Sequence, residues 1–204
     1  MIRPLYGLVL TGGRSRRMGA DKAAIPYDGR PQLARTFDLL SSRVTRCFVS
    51  TRGDQRDDPL RRAYPLIIDM LDDCGPASGL LAAYAAHPRV AWLVLACDLP
   101  LMDVATLDAL IGARDDTRYA AVAFQGVHDG LPEPLCTVWE PAALEALTQQ
   151  VATGSVRSRA VLLDDATCIL PPPASRALEN VNTPAERTKA TKMLENQQDT
   201  QCLT

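Results

Sequence analysis

Two stretches of the sequence carry residue types that could do chemistry together. The first is Leu8 to Ala23, "LVLTGGRSRRMGADKA", in which an apolar run ends in Gly12 and Gly13 and is followed by arginines, Gly19, Asp21 and Lys22. Paired glycines allow the backbone to turn sharply and bring bare N–H groups close to a ligand. Arg17 offers a bidentate fork and Lys22 a mobile point charge, the complement a desolvated polyphosphate needs. The spacing is neither GxxxxGK[ST] nor GxGxxG. On residue type alone the stretch is either a phosphate cradle or a solvated basic loop. The second stretch is "VLACDLPLM", where Asp98 directly follows a fully apolar run. Mg2+ is held by one or two carboxylates together with phosphate oxygens and water, so Asp98 is the best single metal candidate. Asp69, after "PLII", holds the same place behind another apolar run, and "CGPASG" (Cys74 to Gly79) offers glycines at a helix start.

Residues so placed need a scaffold that brings the ends of several strands together. Apolar runs of strand length occur at Leu5 to Leu10, Cys47 to Thr51, Leu66 to Ile68, Ala91 to Ala96, Ala120 to Phe124 and Leu135 to Trp139. Between them lie helical patterns. "QLARTFDLLSSR" places Leu33, Phe37 and Leu40 on one face, and "ASGLLAAYAAH" and "DVATLDALIGAR" follow, the last with Asp103 as N-cap. "EPAALEALTQQV" and "TPAERTKATKML" each begin with a proline at the first helical position. Alternation of this kind predicts an α/β fold with a mainly parallel sheet and helices on both faces. Ligands of such folds bind at the carboxyl ends of the strands, where both candidate stretches fall.

The bulk properties exclude several classes. The chain has 204 residues, 47% of them apolar, and a formal net charge of −2. One domain of ordinary size is expected, covering residues 1–196, with a disordered tail at 197–204. No basic field argues for nucleic acid. No apolar run approaches the ~20 residues of a membrane helix, and the first residues carry no signal-like run. The six cysteines form no C-x-x-C pair, and Cys47, Cys97 and Cys136 read as small buried hydrophobes in a reduced cytoplasm. His87 and His128 read as surface residues rather than catalysts.

The pattern L-x-G-G-x-S-x-R-M-G-x-D-K is present without a gap as Leu10, Gly12, Gly13, Ser15, Arg17, Met18, Gly19, Asp21 and Lys22. With Asp69 and "GPASG", Asp98 in "CDLP", and "NVNTPAE" from Asn180 to Glu186, the chain resembles the molybdenum cofactor guanylyltransferases of the MobA type. The resemblance implies a Rossmann-like three-layer nucleotidyltransferase fold. It also implies transfer of GMP from GTP to the terminal phosphate of molybdenum-bearing molybdopterin, with loss of pyrophosphate. It assigns Leu10, Thr11, Gly12, Gly13, Lys22, Ser50, Asp69 and Asp98 to the nucleotide, Arg17 and Lys22 to the polyphosphate, Asp98 to Mg2+, and Asn180 and Asn182 to the pterin side. Proteins that deliver or receive the molybdenum cofactor are implied as partners. Thr11 stands where the family has alanine, and Glu133 and Cys136 depart from its pattern. The sister cytidylyltransferases carry A-A where this chain has Gly12 and Gly13. Sugar-phosphate nucleotidyltransferases are longer, and a non-catalytic nucleotide sensor would not need both Lys22 and Asp98.

Overall fold

A computed structural model describes residues 3–13, 18–71 and 74–201. Arg17, with Arg14 and Arg16, lies outside the described residues. Four strands, β1 (Leu5–Leu10), β4 (Arg46–Thr51), β5 (Leu66–Ile68) and β6 (Ala91–Ala96), run parallel at one side of a seven-stranded sheet. β8 (Pro132–Trp139) pairs antiparallel with β6 and with β7 (Ala121–Gln125), and β9 (Thr167–Leu170) closes the edge parallel to β7. The strand order is β5-β4-β1-β6-β8-β7-β9. From β1 the chain goes first to β4 and β5 on one side, then back to β6 on the other. That reversal opens a crevice at the carboxyl ends of β1, β4 and β6. A two-stranded hairpin, β2 (Pro26–Tyr27) with β3 (Arg30–Pro31), stands apart from the sheet.

Alternate side chains of the central strands feed two cores. Val9, Val49, Leu93 and Leu95 pack with Leu33 and Leu40 of α1 (Gln32–Ser41) and with Leu107 and Leu110 of α3 (Val104–Gly112). Leu8, Phe48, Trp92 and Val94 pack on the other face with Leu80 of α2 (Pro76–Ala86), with Leu144 and Leu147 of α4 (Pro141–Ala152), and with Leu162 behind the short α5 (Ser158–Val161). These are the three expected layers, and burial on both faces accounts for the unbroken apolar run of β6. Asp103 caps α3 as expected, accepting from Thr106 N at 2.7 Å.

A third, smaller core positions the site. Ile25, Tyr27 and Leu101 meet Val181, Ala190 and Leu194, so that α6 (Pro184–Gln201) is docked against the hairpin and the loop after β6. Thr183 and Glu186 cap α6 reciprocally, Thr183 Oγ1 accepting from Glu186 N and Glu186 Oε2 from Thr183 N. The backbone of α6 continues to Gln201, past residue 196, where apolar periodicity had given out.

Candidate active site

The cavity begins where β1 ends. Thr11 leaves the strand with its N–H and its hydroxyl both donating to Ser50 O, at 3.1 and 2.7 Å. Gly12 then passes directly over Asp69: a Cβ at this position would stand 2.6 Å from Asp69 Oδ2. A Cβ on Gly13 would meet no described atom within 4 Å. Glycine at 12 is thus required by packing, whereas at 13 it leaves open room. Arg52, just past β4, donates from its guanidinium to Gly12 O at 2.8 Å and clasps Asp54 with its remaining nitrogens.

Lys22 opens a 3-10 turn, Lys22–Ala24, which Asp21 caps by accepting from Ala23 N at 3.1 Å. Its Nζ lies 2.6 Å from Asn182 Oδ1 and 3.5 Å from Asp98 Oδ2. Val181 N donates to Asp98 O at 2.8 Å, which holds the segment before α6 across the end of β6. Residues 160 positions apart in the chain therefore meet at one ammonium. Asp98 Oδ1 is buried with no hydrogen-bond partner, and so is Asn180 Oδ1. Burial pushes the Asp98 carboxyl above the usual carboxylate range, against the pull of Lys22. Asp69 is also raised by burial, with the Ser50 hydroxyl, donating at 2.6 Å, and Arg52 opposing the shift.

One cavity of about 750 Å3 is lined by Leu10, Thr11, Gly12, Gly13, Lys22, Ser50, Asp69, Asp98 and Asn182. Asn180 is not among its lining residues. Gly75, at φ +57°, turns the chain into α2, so that Gly75, Pro76 and Ser78 present the start of that helix to the same space. The positive end of the helix dipole favours an anionic ligand there.

Arg61 and Arg52 escaped the reading of the sequence. Arg61 is 1% exposed, the only arginine among the described residues buried to that degree. Its Nε donates to Thr11 Oγ1 at 3.1 Å, and its two terminal nitrogens fork onto Asp21 at 2.7 and 2.9 Å. Nothing in "DDPLRR" distinguishes it from its exposed neighbour Arg62. Only the Asp58 side chain, which accepts from Arg61 N at 3.0 Å, hints at local order. His87 is not a plain surface residue: its ring packs against Tyr6, Phe48 and Trp92 at 5.3–6.0 Å, at the amino ends of the strands. His128 is exposed, as expected.

Residues 7–167 match the family described as the MobA-like NTP transferase domain. The chain belongs to this family. A molybdenum cofactor biosynthesis bifunctional protein of Synechocystis is 37% identical over 185 residues, which are 90% of this chain and 52% of that protein. This chain therefore spans about half of that relative. A molybdenum cofactor guanylyltransferase of Xanthomonas euvesicatoria is 34% identical over 78% of this chain and 77% of its own length. Among solved structures, the molybdopterin-guanine dinucleotide biosynthesis protein A of Archaeoglobus fulgidus superposes with a TM-score of 0.78, covering 94% of this chain and 99% of that one at 20% identity. That likeness bears on the fold, a single α/β nucleotidyltransferase-like domain. In this member of the MobA-like family, the loop after β1, the end of β6 and the segment before α6 meet at the cavity.

Proposed function

We propose that this protein transfers GMP from GTP to the terminal phosphate of molybdenum-bearing molybdopterin. The observation that carries the reading is the convergence of the Gly12–Gly13 turn, Lys22, Asp98 and Asn182 on one cavity in a chain of the MobA-like family. In this reaction a terminal phosphate oxygen of the pterin forms a bond to the α-phosphorus of GTP, and the bond to the β-phosphate oxygen breaks. The electron pair leaves with pyrophosphate. The attacking group is already an anion at neutral pH, so no strong general base is required, and the cavity contains no histidine. Catalysis of this kind rests on positioning and charge neutralisation.

In this reading Leu10, Thr11, Gly12 and Gly13 present backbone to the base and sugar. The half-buried Lys22 neutralises polyphosphate charge, and Arg17 faces the leaving pyrophosphate. Ser50 and Asp69, bonded to each other, contact the nucleoside. The room at Gly13 suits a purine lying against the backbone. Asn182 orients the pterin-bearing phosphate beside Lys22, with Asn180 behind it. Proteins that deliver or receive the molybdenum cofactor would meet the chain at this mouth.

The residues present fit Mg2+. Asp98 offers a buried oxygen without a partner, and Lys22 takes only the other one. No cluster of three or more His, Cys, Asp or Glu occurs among the described residues, so the remaining ligands would be phosphate oxygens and water. When bound, Mg2+ supplies charge compensation to the transferring phosphate and its leaving group.

No described helix is long and apolar enough to cross a membrane. Cys47, Cys97 and Cys136 lie in the core, and burial pushes the thiols of Cys47 and Cys97 up to about 12, which makes them packing residues rather than reactive thiols; a cytoplasmic setting is part of this reading. Titrating GTP, CTP, ATP and UTP in the presence of Mg2+ tests the reading. GTP is expected to bind at least about tenfold tighter than CTP, a difference of ~1.4 kcal/mol. Equal affinities or a CTP preference would contradict it.

A further inference from the structure

Arg61 does not itself line the cavity, yet its guanidinium joins the two backbone segments that form the phosphate end of the site. On one side, Nε donates to Thr11 Oγ1 at 3.1 Å and a terminal nitrogen to Thr11 O at 3.4 Å, fixing the point where β1 becomes the glycine turn. On the other, both terminal nitrogens hold Asp21, whose Oδ1 also accepts from Ala23 N and so shapes the turn that carries Lys22. Asp58 adds a contact at 3.3 Å and accepts from Arg61 N, anchoring the clamp in its own 3-10 turn, Arg61–Ala63. Every donor group of this buried cation is thereby directed at the loop after β1 or at its own anchor. A buried ion pair is weak evidence for stability as such, because desolvation offsets the attraction. Its value here is geometric: the planar fork fixes the direction of Asp21 in a way a lysine ammonium cannot.

We infer that Arg61 is a positioning residue for transfer. Acting through Asp21 and Thr11, it holds Lys22 where it meets Asp98 and Asn182. The inference rests on the assignment of Lys22 to the polyphosphate made under Proposed function. Arg61 contacts no substrate in this account. It sets the place of the cation that does.

The test separates position from stability. In the double variant Arg61→Met, Asp21→Leu, both charges are replaced by apolar side chains of similar bulk, an exchange that leaves many proteins as stable as before. Turnover of GTP and molybdopterin is expected to fall about 100-fold, the scale of a 1 Å misplacement, with the melting temperature held. KM for GTP is expected to change by less than about threefold. A second readout needs no substrate. The chain has three lysines, Lys22, Lys189 and Lys192, the last two exposed, so carbon-13 reductive methylation gives three lysine signals beside that of the α-amino group, with Lys22 identified by Lys22→Arg. In the double variant the Lys22 signal is expected to move to the position of the two exposed ones. Unchanged turnover in the folded double variant, or an unmoved Lys22 signal, overturns the inference. Should the double variant not fold, Arg61→Lys keeps the charge and loses the fork, and parental turnover there overturns it equally. Absence of transfer by the parent protein would count against the reaction itself, and the Lys22 signal would then decide the positioning role alone.

Discussion

Gly12 and Gly13 look equivalent in the sequence, but the structure separates them, and Gly12→Ala against Gly13→Ala tests that separation. An alanine Cβ at position 12 would stand 2.6 Å from Asp69 Oδ2, short of the 3.4 Å at which ordinary contact begins. Asp69 has little room to give, since Ser50 Oγ donates to its Oδ1 at 2.6 Å and its own N–H donates to Thr51 O at 2.8 Å. The carboxylate must swing away and lose the Ser50 hydrogen bond, which costs about 1.5–3 kcal/mol for a charged acceptor. Replacing glycine by alanine returns about 0.4–1 kcal/mol by restricting the unfolded chain, because neither residue has a positive φ. The net expectation for Gly12→Ala is a loss of about 1–2 kcal/mol. For a domain of this size that is a melting temperature lower by about 3–6 °C. Gly13→Ala meets no described atom, so only the unfolded-chain effect remains, and its melting temperature should stay level or rise by about 1–2 °C. Its methyl group does occupy cavity space, so GTP affinity should fall without any loss of stability. Calorimetric melts and GTP titrations on the two variants decide the matter. Equal melting temperatures, or destabilisation confined to Gly13→Ala, would refute the reasoning.

Three further outcomes are expected. Asp98→Asn keeps the shape and removes the anion, so transfer should fall by about 100–1,000-fold in a variant whose circular dichroism is unchanged, and near-parental turnover would exclude an essential metal role. Asn182→Ala removes the 2.6 Å partner of Lys22 and should slow transfer about tenfold or more while GTP affinity changes by only a few fold; a large loss of GTP affinity would move Asn182 to the nucleotide half of the site. Glu133 is buried in β8, and burial raises its carboxyl pKa, against the N–H of Leu135 donating to it at 2.9 Å. A raised folded-state pKa favours the fold below the unfolded value of 4.5, and that contribution is lost as pH climbs through the raised value. Glu133→Gln, which keeps the acceptor for Leu135, should therefore melt higher than the parent at pH 8 and equal to it near pH 4. A gap that does not change with pH would contradict this.

Much of the scaffold was legible because burial on both faces writes strands as short apolar runs. β1, β5 and β6 begin and end at the residues their apolar runs mark. The direction of β8 was not read, although the six-residue connection from β7 is too short for a parallel crossover. The hairpin of β2 and β3 was hidden by prolines in both two-residue strands. The Asp28–Gly29 turn between them, with φ of 51° and 71°, was the available signal. β9 was missed although Cys168, Ile169 and Leu170 are apolar, because the run is short and opens directly into Pro171, Pro172 and Pro173. At the site, the named residues directly behind strands line one cavity because their position follows from topology. Lys22 and Asn182 were both named, but their contact was invisible, since it depends on how α6 docks on the small core of Ile25, Tyr27 and Leu101. Arg61 was invisible for a related reason: a buried arginine has the sequence signature of an exposed one.

The central claim is guanylyl transfer at this cavity. Its most direct test is to supply the protein with Mg2+, molybdenum-bearing molybdopterin and either GTP or CTP, and to measure pyrophosphate release and the mass of the product. The account predicts one pyrophosphate for each guanine dinucleotide formed, with little product from CTP. Absence of pyrophosphate with GTP, or a cytosine dinucleotide as the main product, would contradict it.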